Sequence, residues 1–364
     1  MKRNPQVELA RLIACIIVIG VHTRLNNVVN GSYDYSRILI SCIFADGVAI
    51  FWMITGFFLF NNKDYKKLLK RTFKNIVIPL ILFSLFYYYF EGWMFHGESF
   101  IQSIDHSFDE YRAALRLLLI WKNPVESAGH LWYLYVYILI ILVFPVIKSF
   151  VNYLGNDRVR IKYFLIISFS FFVLNDLTAN QLANFSHHSI NGLVPACIEL
   201  IWGYLIYQNK EKFLKRKYIF ISAITFLGIN AVRARIQLIN YNTEPVNKSL
   251  IFWYSSVGAM CAVCVIVFCF SFLYQKQNCI KMNNIICQLA SYTFSIYLWH
   301  YVVKNMLVRF KIKGMIVDLI FKYFGNFVAE ILYTVIIVSL VFLISLVLSI
   351  LLKKVKSFLM LIID

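Results

Sequence analysis

Apolar residues fall into ten runs separated by short polar stretches: 7–22, 38–60, 76–95, 131–151, 161–174, 193–207, 218–232, 250–274, 285–308 and 327–352. A hydrocarbon core about 30 Å thick takes about 20 residues of helix to cross, and each run is read as a span, the fifth to seventh being the shortest at about 15 residues. In lipid a segment of this length satisfies its backbone groups only as a helix. The alternating ~10-residue strands of a β-barrel are missing. The expected fold class is therefore all-α: a polytopic membrane bundle of about ten transmembrane helices, forming a single domain over residues 1–364. The longest connection, 91–130, holds an apolar patch at 113–121 that is too short to span and reads as an interfacial or re-entrant piece.

Composition agrees with the pattern. The chain has 364 residues, 60% of them hydrophobic and 15% charged, with a mean hydropathy of +0.69. Soluble domains carry about 25% charge, so a soluble enzyme is excluded, as are a disordered tail and a disulfide-rich module. The formal charge is +18. In a soluble protein that excess would suggest nucleic acid; here the basic residues border apolar runs, so the expected partners are the bilayer and its anionic headgroups, and no nucleic acid. With the N-terminus inside, 22 Lys and Arg fall in inner connections and 12 in outer ones, which places both termini in the cytoplasm. The N-terminal Met1-Lys2-Arg3-Asn4 mimics a signal peptide, but Glu8 and Arg11 interrupt its apolar core, so a retained first span is expected. Cys261 and Cys264 form a C-x-x-C inside an apolar run and read as small hydrophobes; no metal site is expected.

The first run carries Glu8, Arg11 and His22. Ionisable residues inside a span are costly and are functional candidates. Eleven residues at 100° each return to within about 20° of the same face, with a rise of roughly 16 Å. Arg11 and His22 thus share a stripe at opposite ends, with Glu8 beside Arg11. One reading is an interfacial ion pair and a histidine marking the end of the span. The other is a cationic inner mouth and a titratable base at the two ends of one passage.

The spacing Glu8-x-x-Arg11-x10-His22 resembles the opening signature of the acyltransferase 3 family of integral membrane proteins. Further segments resemble family elements in order: 47–59, with Thr55-Gly56-Phe57 where Ser-Gly-aromatic is usual; the basic stretch 65–74 running into Pro79; His130-Leu131-Trp132; 199–207; and 291–300, ending Tyr297-Leu298-Trp299-His300. Thr55, Ser295 and Lys74 depart from the usual residues, and Thr55 and Lys74 keep the hydroxyl or the charge. The pattern is similar to bacterial surface-glycan O-acetyltransferases.

That resemblance implies transfer of an acyl group, most often acetyl, from cytoplasmic acetyl-CoA to a hydroxyl of an envelope glycan or its lipid-linked precursor, in the bacterial cytoplasmic membrane. It implies His22 as general base, supported by Glu8 and Arg11. CoA phosphates need Arg or Lys donors, for which Arg11, Lys67, Lys70, Arg71 and Lys74 are the candidates; the basic stretch reads equally as positive-inside topology. Thr55, Trp132, Tyr292 and Tyr297 are candidate donors to an oxyanion, and His130 and His300 are further substrate-site candidates. No cofactor is expected to be tightly bound. No G-x-S-x-G motif is present, which favours direct transfer. A proton-coupled transporter or flippase for an envelope polysaccharide is the alternative, since intramembrane Glu8, Arg11 and His22 suit a carrier, although the paired halves of such folds are not seen. A glycan polymerase fits less well, because the longest loop has only about 40 residues.

Overall fold

The computed structural model describes residues 3–29, 31–119, 123, 125–178, 189–243, 255–276 and 279–363. His187 and His188, read as a solvated loop pair, lie outside the described residues. Among the described residues the architecture is all-α apart from one short antiparallel strand pair, β1 (Val28–Val29) and β2 (Ser32–Tyr33). Among the described residues six helical segments are long and apolar enough to cross a membrane, or seven if one bent pair is a single span, which makes this a multi-pass integral membrane protein.

The helices, in chain order, are α1 (Pro5–Thr23), α2 (Tyr35–Ile43), α3 (Gly47–Leu59), α4 (Tyr65–Thr72), α5 (Ile78–Glu91), α6 (Phe100–Leu119), α7 (Trp132–Leu142), α8 (Phe144–Leu154), α9 (Arg158–Leu177), α10 (Leu193–Gln208), α11 (Lys217–Thr243), α12 (Ser256–Gln275), α13 (Ile280–Ala290), α14 (Thr293–Arg309), α15 (Ile312–Tyr323) and α16 (Asn326–Ile363). Their starts follow side-chain capping. Asn4, Asp34, Asp64, Asp157 and Ser255 each accept a backbone N–H from the first turn that follows, and Pro5 opens α1 where no N–H is needed.

Each of the ten apolar runs is mainly helical where described, but several are shaped differently from simple spans, and the run 38–60 is interrupted at 44–46, between α2 and α3. The run 131–151 bends by 67° between α7 and α8. Pro145, at the start of α8, has no N–H to give and its ring crowds the preceding turn. The run 285–308 breaks at Ser291-Tyr292, between α13 and α14. Helix α9 is 20 residues long, yet Arg158, Arg160, Lys162 and Asp176 leave it no 18-residue stretch with two charges or fewer. The seventh run extends past the expected boundary: α11 continues to Thr243, so Arg233 and Arg235, read as loop residues, belong to a helix.

The chain divides into two compact units. The first comprises residues 1–54 and 206–364. In it α1 packs against α2, α12, α13, α14 and α16, and α11 against α2 and α12. The enclosed face of α1 is built of Val7, Ala10, Leu12, Ala14, Cys15, Val18 and Ile19. Its small residues permit the close helix contact that drives association where both lipid and core are apolar. Cys15 and Ile19 join Ile296, Val303 and Leu307 of α14 and Tyr333, Ile337 and Val341 of α16 in one buried cluster. The second unit comprises residues 55–205, in which α5 packs on α6 and α4 on α7. There Gly56 of α3 faces the backbone of α10, and a Cβ on it would lie 1.8 Å from the Leu200 carbonyl oxygen.

Candidate active site

The polar stripe of α1 is present as one continuous helix. Asn4 and Pro5 start it, and Glu8, at its first turn, is almost fully buried. Arg11 reaches back one turn to Glu8, with Nη1 at 2.9 Å from Oε2 and 3.1 Å from Oε1. Arg3 Nη1 approaches the same carboxylate at 3.5 Å. Two guanidinium groups around one buried carboxylate leave this end of α1 net cationic. At 1.5 Å per residue, His22 stands roughly 16 Å away along the axis.

At that far end His22 meets the middle of α14. Its ring centroid lies 5.4 Å from that of His300, tilted by 38°, and 5.1 Å from that of Tyr301, edge-on. His300 is fully buried. Its Nδ1 lies 2.6 Å from the Tyr297 carbonyl oxygen. A carbonyl only accepts, so Nδ1 carries the proton, and in the neutral ring Nε2 carries the lone pair. The Tyr297 ring sits 5.8 Å from that of His300, and Lys304 Nζ lies 3.6 Å over the ring of Tyr301. The result is an imidazole pair flanked by a tyrosine and an ammonium. One ring has its tautomer set by the backbone, the arrangement used to orient a neighbouring base.

Cations collect beyond the end of α1. Arg24 donates to Ser41 Oγ at 3.0 Å and to Asn27 Oδ1 at 3.3 Å, and Lys313 Nζ donates to the Arg24 carbonyl oxygen at 3.4 Å. Arg37 Nε lies 3.5 Å from the buried Glu330 carboxylate, and Tyr333 Oη donates to the Thr23 carbonyl oxygen at 2.8 Å. Burial draws the pKa of Lys313 below the usual lysine range; Arg24 adds to that and Glu330 opposes it. Burial likewise lowers Arg24, which remains a cation.

The structure brings together only part of the expected set. His22, Tyr297 and His300 meet in the first unit; Glu8 and Arg11 form their own cluster at the other end of α1. Tyr292 caps the start of α14, about 12 Å along the axis from His300, with Lys353 Nζ 5.1 Å over its ring. Thr55, His130, Trp132 and the basic stretch belong to the second unit. Thr55 is half-buried on α3. His130 is buried beside the Tyr87 ring at 5.6 Å, on the turn before α7, and Trp132 is the first residue of α7. Lys67, Lys70, Arg71 and Lys74 are exposed, with Arg71 Nη2 at 3.2 Å from Asn62 Oδ1.

Two features of the first unit escape the sequence reading. Tyr301 touches the His22 ring and carries no flag beyond following His300 directly. The second feature is an ion pair buried in the bundle. Arg233 Nη1 lies 2.6 Å from Asp46 Oδ2 and Nη2 lies 3.4 Å from Oδ1, with the arginine side chain fully enclosed. Asp46 immediately precedes α3, where the helix dipole also favours its charge. A Cβ on Gly258 would lie 2.5 Å from Asp46 Oδ1, so that glycine makes room for the carboxylate. A lone Asp within an apolar run is the signal that would have found it.

In comparison with known proteins, residues 4–350 match the family model described as an acyltransferase domain, acyltransferase 3. No curated protein and no solved structure matches the chain.

Proposed function

The chain belongs to the acyltransferase 3 family, and from that premise we propose that it is a membrane-embedded O-acyltransferase that moves an acetyl group from cytoplasmic acetyl-CoA to a hydroxyl of a cell-envelope glycan or its lipid-linked precursor. The observation that carries the reading is the His22–His300 pair at one end of α1, with the Glu8–Arg11 cluster at the other. In the proposed reaction His22 takes the proton of the acceptor hydroxyl, and the oxygen attacks the thioester carbonyl. The tetrahedral intermediate collapses, the C–S bond breaks, and the CoA sulfur takes the proton back from the His22 imidazolium. The products are the O-acetyl ester and free CoA. His300, held by the Tyr297 carbonyl, positions the base.

The CoA phosphates call for fixed cations. Arg11 is the candidate in the first unit, and Lys67, Lys70, Arg71 and Lys74 are those in the second. The distribution of basic residues supports cytoplasmic termini.

The test is acetyl transfer by pure protein from labelled acetyl-CoA to envelope glycan. Loss of a general base lowers the rate by about 10²–10⁴-fold, so His22→Ala is expected to be nearly inactive while inserting and purifying normally. Wild-type turnover by His22→Ala would overturn the role of His22. Absence of labelled acetyl on any glycan, with mass spectra of surface glycans unchanged by deletion of the protein, would overturn the assigned substrates.

A further inference from the structure

A cluster outside the proposed active site joins the end of α5 to α6. The helix continues past Glu91 as a π-turn, Gly92–His96, and Gly97 then takes a left-handed conformation (φ 70°) that reverses the chain. Such a backbone is easy for glycine and costly for other residues. Ser99 and Gln102 bond across the start of α6, through Ser99 N–H to Gln102 Oε1 at 2.9 Å. This turn sets His96 and Glu98 against His106, on the second turn of α6. Glu98 Oε1 lies 3.5 Å from His106 Nδ1 and 3.9 Å from His96 Nδ1. One donor atom from each of the three residues lies within 4.8 Å of the other two. The two imidazoles are 5.7 Å apart, edge to face.

We propose that His96, Glu98 and His106 hold a divalent transition-metal ion of the zinc class, through one imidazole nitrogen each and one carboxylate oxygen, with the remaining position open to water. Zinc takes nitrogen and oxygen donors at about 2.0–2.2 Å in a tetrahedron, so neighbouring donor atoms stand about 3.4 Å apart. One edge of the cluster already has that length, at 3.5 Å, and no edge has to close by more than about 1.4 Å. The half-exposed His96 side chain has the freedom to do so. Two imidazoles with one carboxylate are a donor set suited to zinc and its neighbours rather than to calcium or magnesium, which prefer all-oxygen shells.

The carboxylate is also held in place. Its second oxygen, Oε2, is buried and has no hydrogen-bond partner among the described residues, and it lies 2.2 Å from where a Cβ on residue 92 would stand. Gly92 thus admits one oxygen and leaves the other facing the histidines. A bound ion ties the end of α5 to α6 across the turn.

The full-length protein in detergent, freed of tag histidines and stripped with chelator, is titrated with Co²⁺ and then with Zn²⁺ in competition. One equivalent of Co²⁺ giving the visible absorption of a tetrahedral site, displaced by Zn²⁺, is expected, together with a rise in the thermal midpoint. Loss of a partner in such sites weakens binding by about 10–100-fold. At least that loss is expected for Glu98→Gln, which keeps the shape, and for the exposed His96→Ala. Gly92→Ala alters no donor and is expected to weaken binding by displacing the carboxylate. No saturable binding by the wild-type protein, or equal binding by Glu98→Gln and the His96→Ala/His106→Ala pair, would overturn the proposal and leave a solvated histidine–carboxylate cluster.

Discussion

Replacing Asp46 with Asn keeps the side-chain volume and removes the charge that faces Arg233. The guanidinium is completely enclosed and bonded to both carboxylate oxygens, at 2.6 and 3.4 Å. The substitution removes the carboxylate bonded to a buried cation, and breaking such a pair costs about 3–5 kcal/mol. Removing both charges relieves that penalty. Asp46→Asn combined with Arg233→Met is therefore expected to unfold much closer to wild type than Asp46→Asn does alone, with a coupling energy above about 1 kcal/mol. Gly258→Ala drives a Cβ to 2.5 Å from Asp46 Oδ1, an overpacking expected to cost about 1–3 kcal/mol. That cost should be coupled to Asp46→Asn as well. Denaturant titrations in micelles, followed by tryptophan fluorescence, supply the four corners of the cycle. If Asp46→Asn matches wild type within about 0.5 kcal/mol, or if the double variant is as unstable as the sum of the two singles, the pair does not organise this bundle.

Other outcomes follow from the same geometry. His300→Ala is expected to slow acetyl transfer by at least about tenfold, and adding it to His22→Ala should cost little more, because groups that act as a unit are not additive; additive losses in single-turnover rates would separate the two rings. Arg11→Ala is expected to weaken acyl-CoA binding, measured by titration calorimetry, while Glu8→Gln, which leaves the guanidinium, is expected to change it less; unchanged binding in Arg11→Ala would remove that residue from the donor site. Gly56→Ala places a Cβ 1.8 Å from the Leu200 carbonyl oxygen and should lower yield and thermal midpoint sharply. Gly228→Ala, with open space around it, should be neutral or stabilising by about 0.5–1 kcal/mol; equal behaviour of the two would refute the close approach of α3 and α10.

The pattern of apolar runs determined that the chain is helical and membrane-spanning, because hydrocarbon admits only segments that satisfy their own backbone, and run length is a property of the sequence alone. The stripe of Glu8, Arg11 and His22 was legible for a similar reason: 3.6 residues per turn fixes which side chains share a face. Spacing along one helix says nothing about what lies across from it. The partners of His22 come from α14, nearly 280 residues later, and the carboxylate of Asp46 is met by an arginine 187 residues away. The break in run 285–308 was likewise decided by packing, as was the continuation of α11 through Arg233, whereas the bend at Pro145 follows from the proline itself. A charge that would end a span in lipid is tolerated inside the bundle once an opposite charge and a glycine-sized gap are supplied by other helices, and only the tertiary structure supplies them.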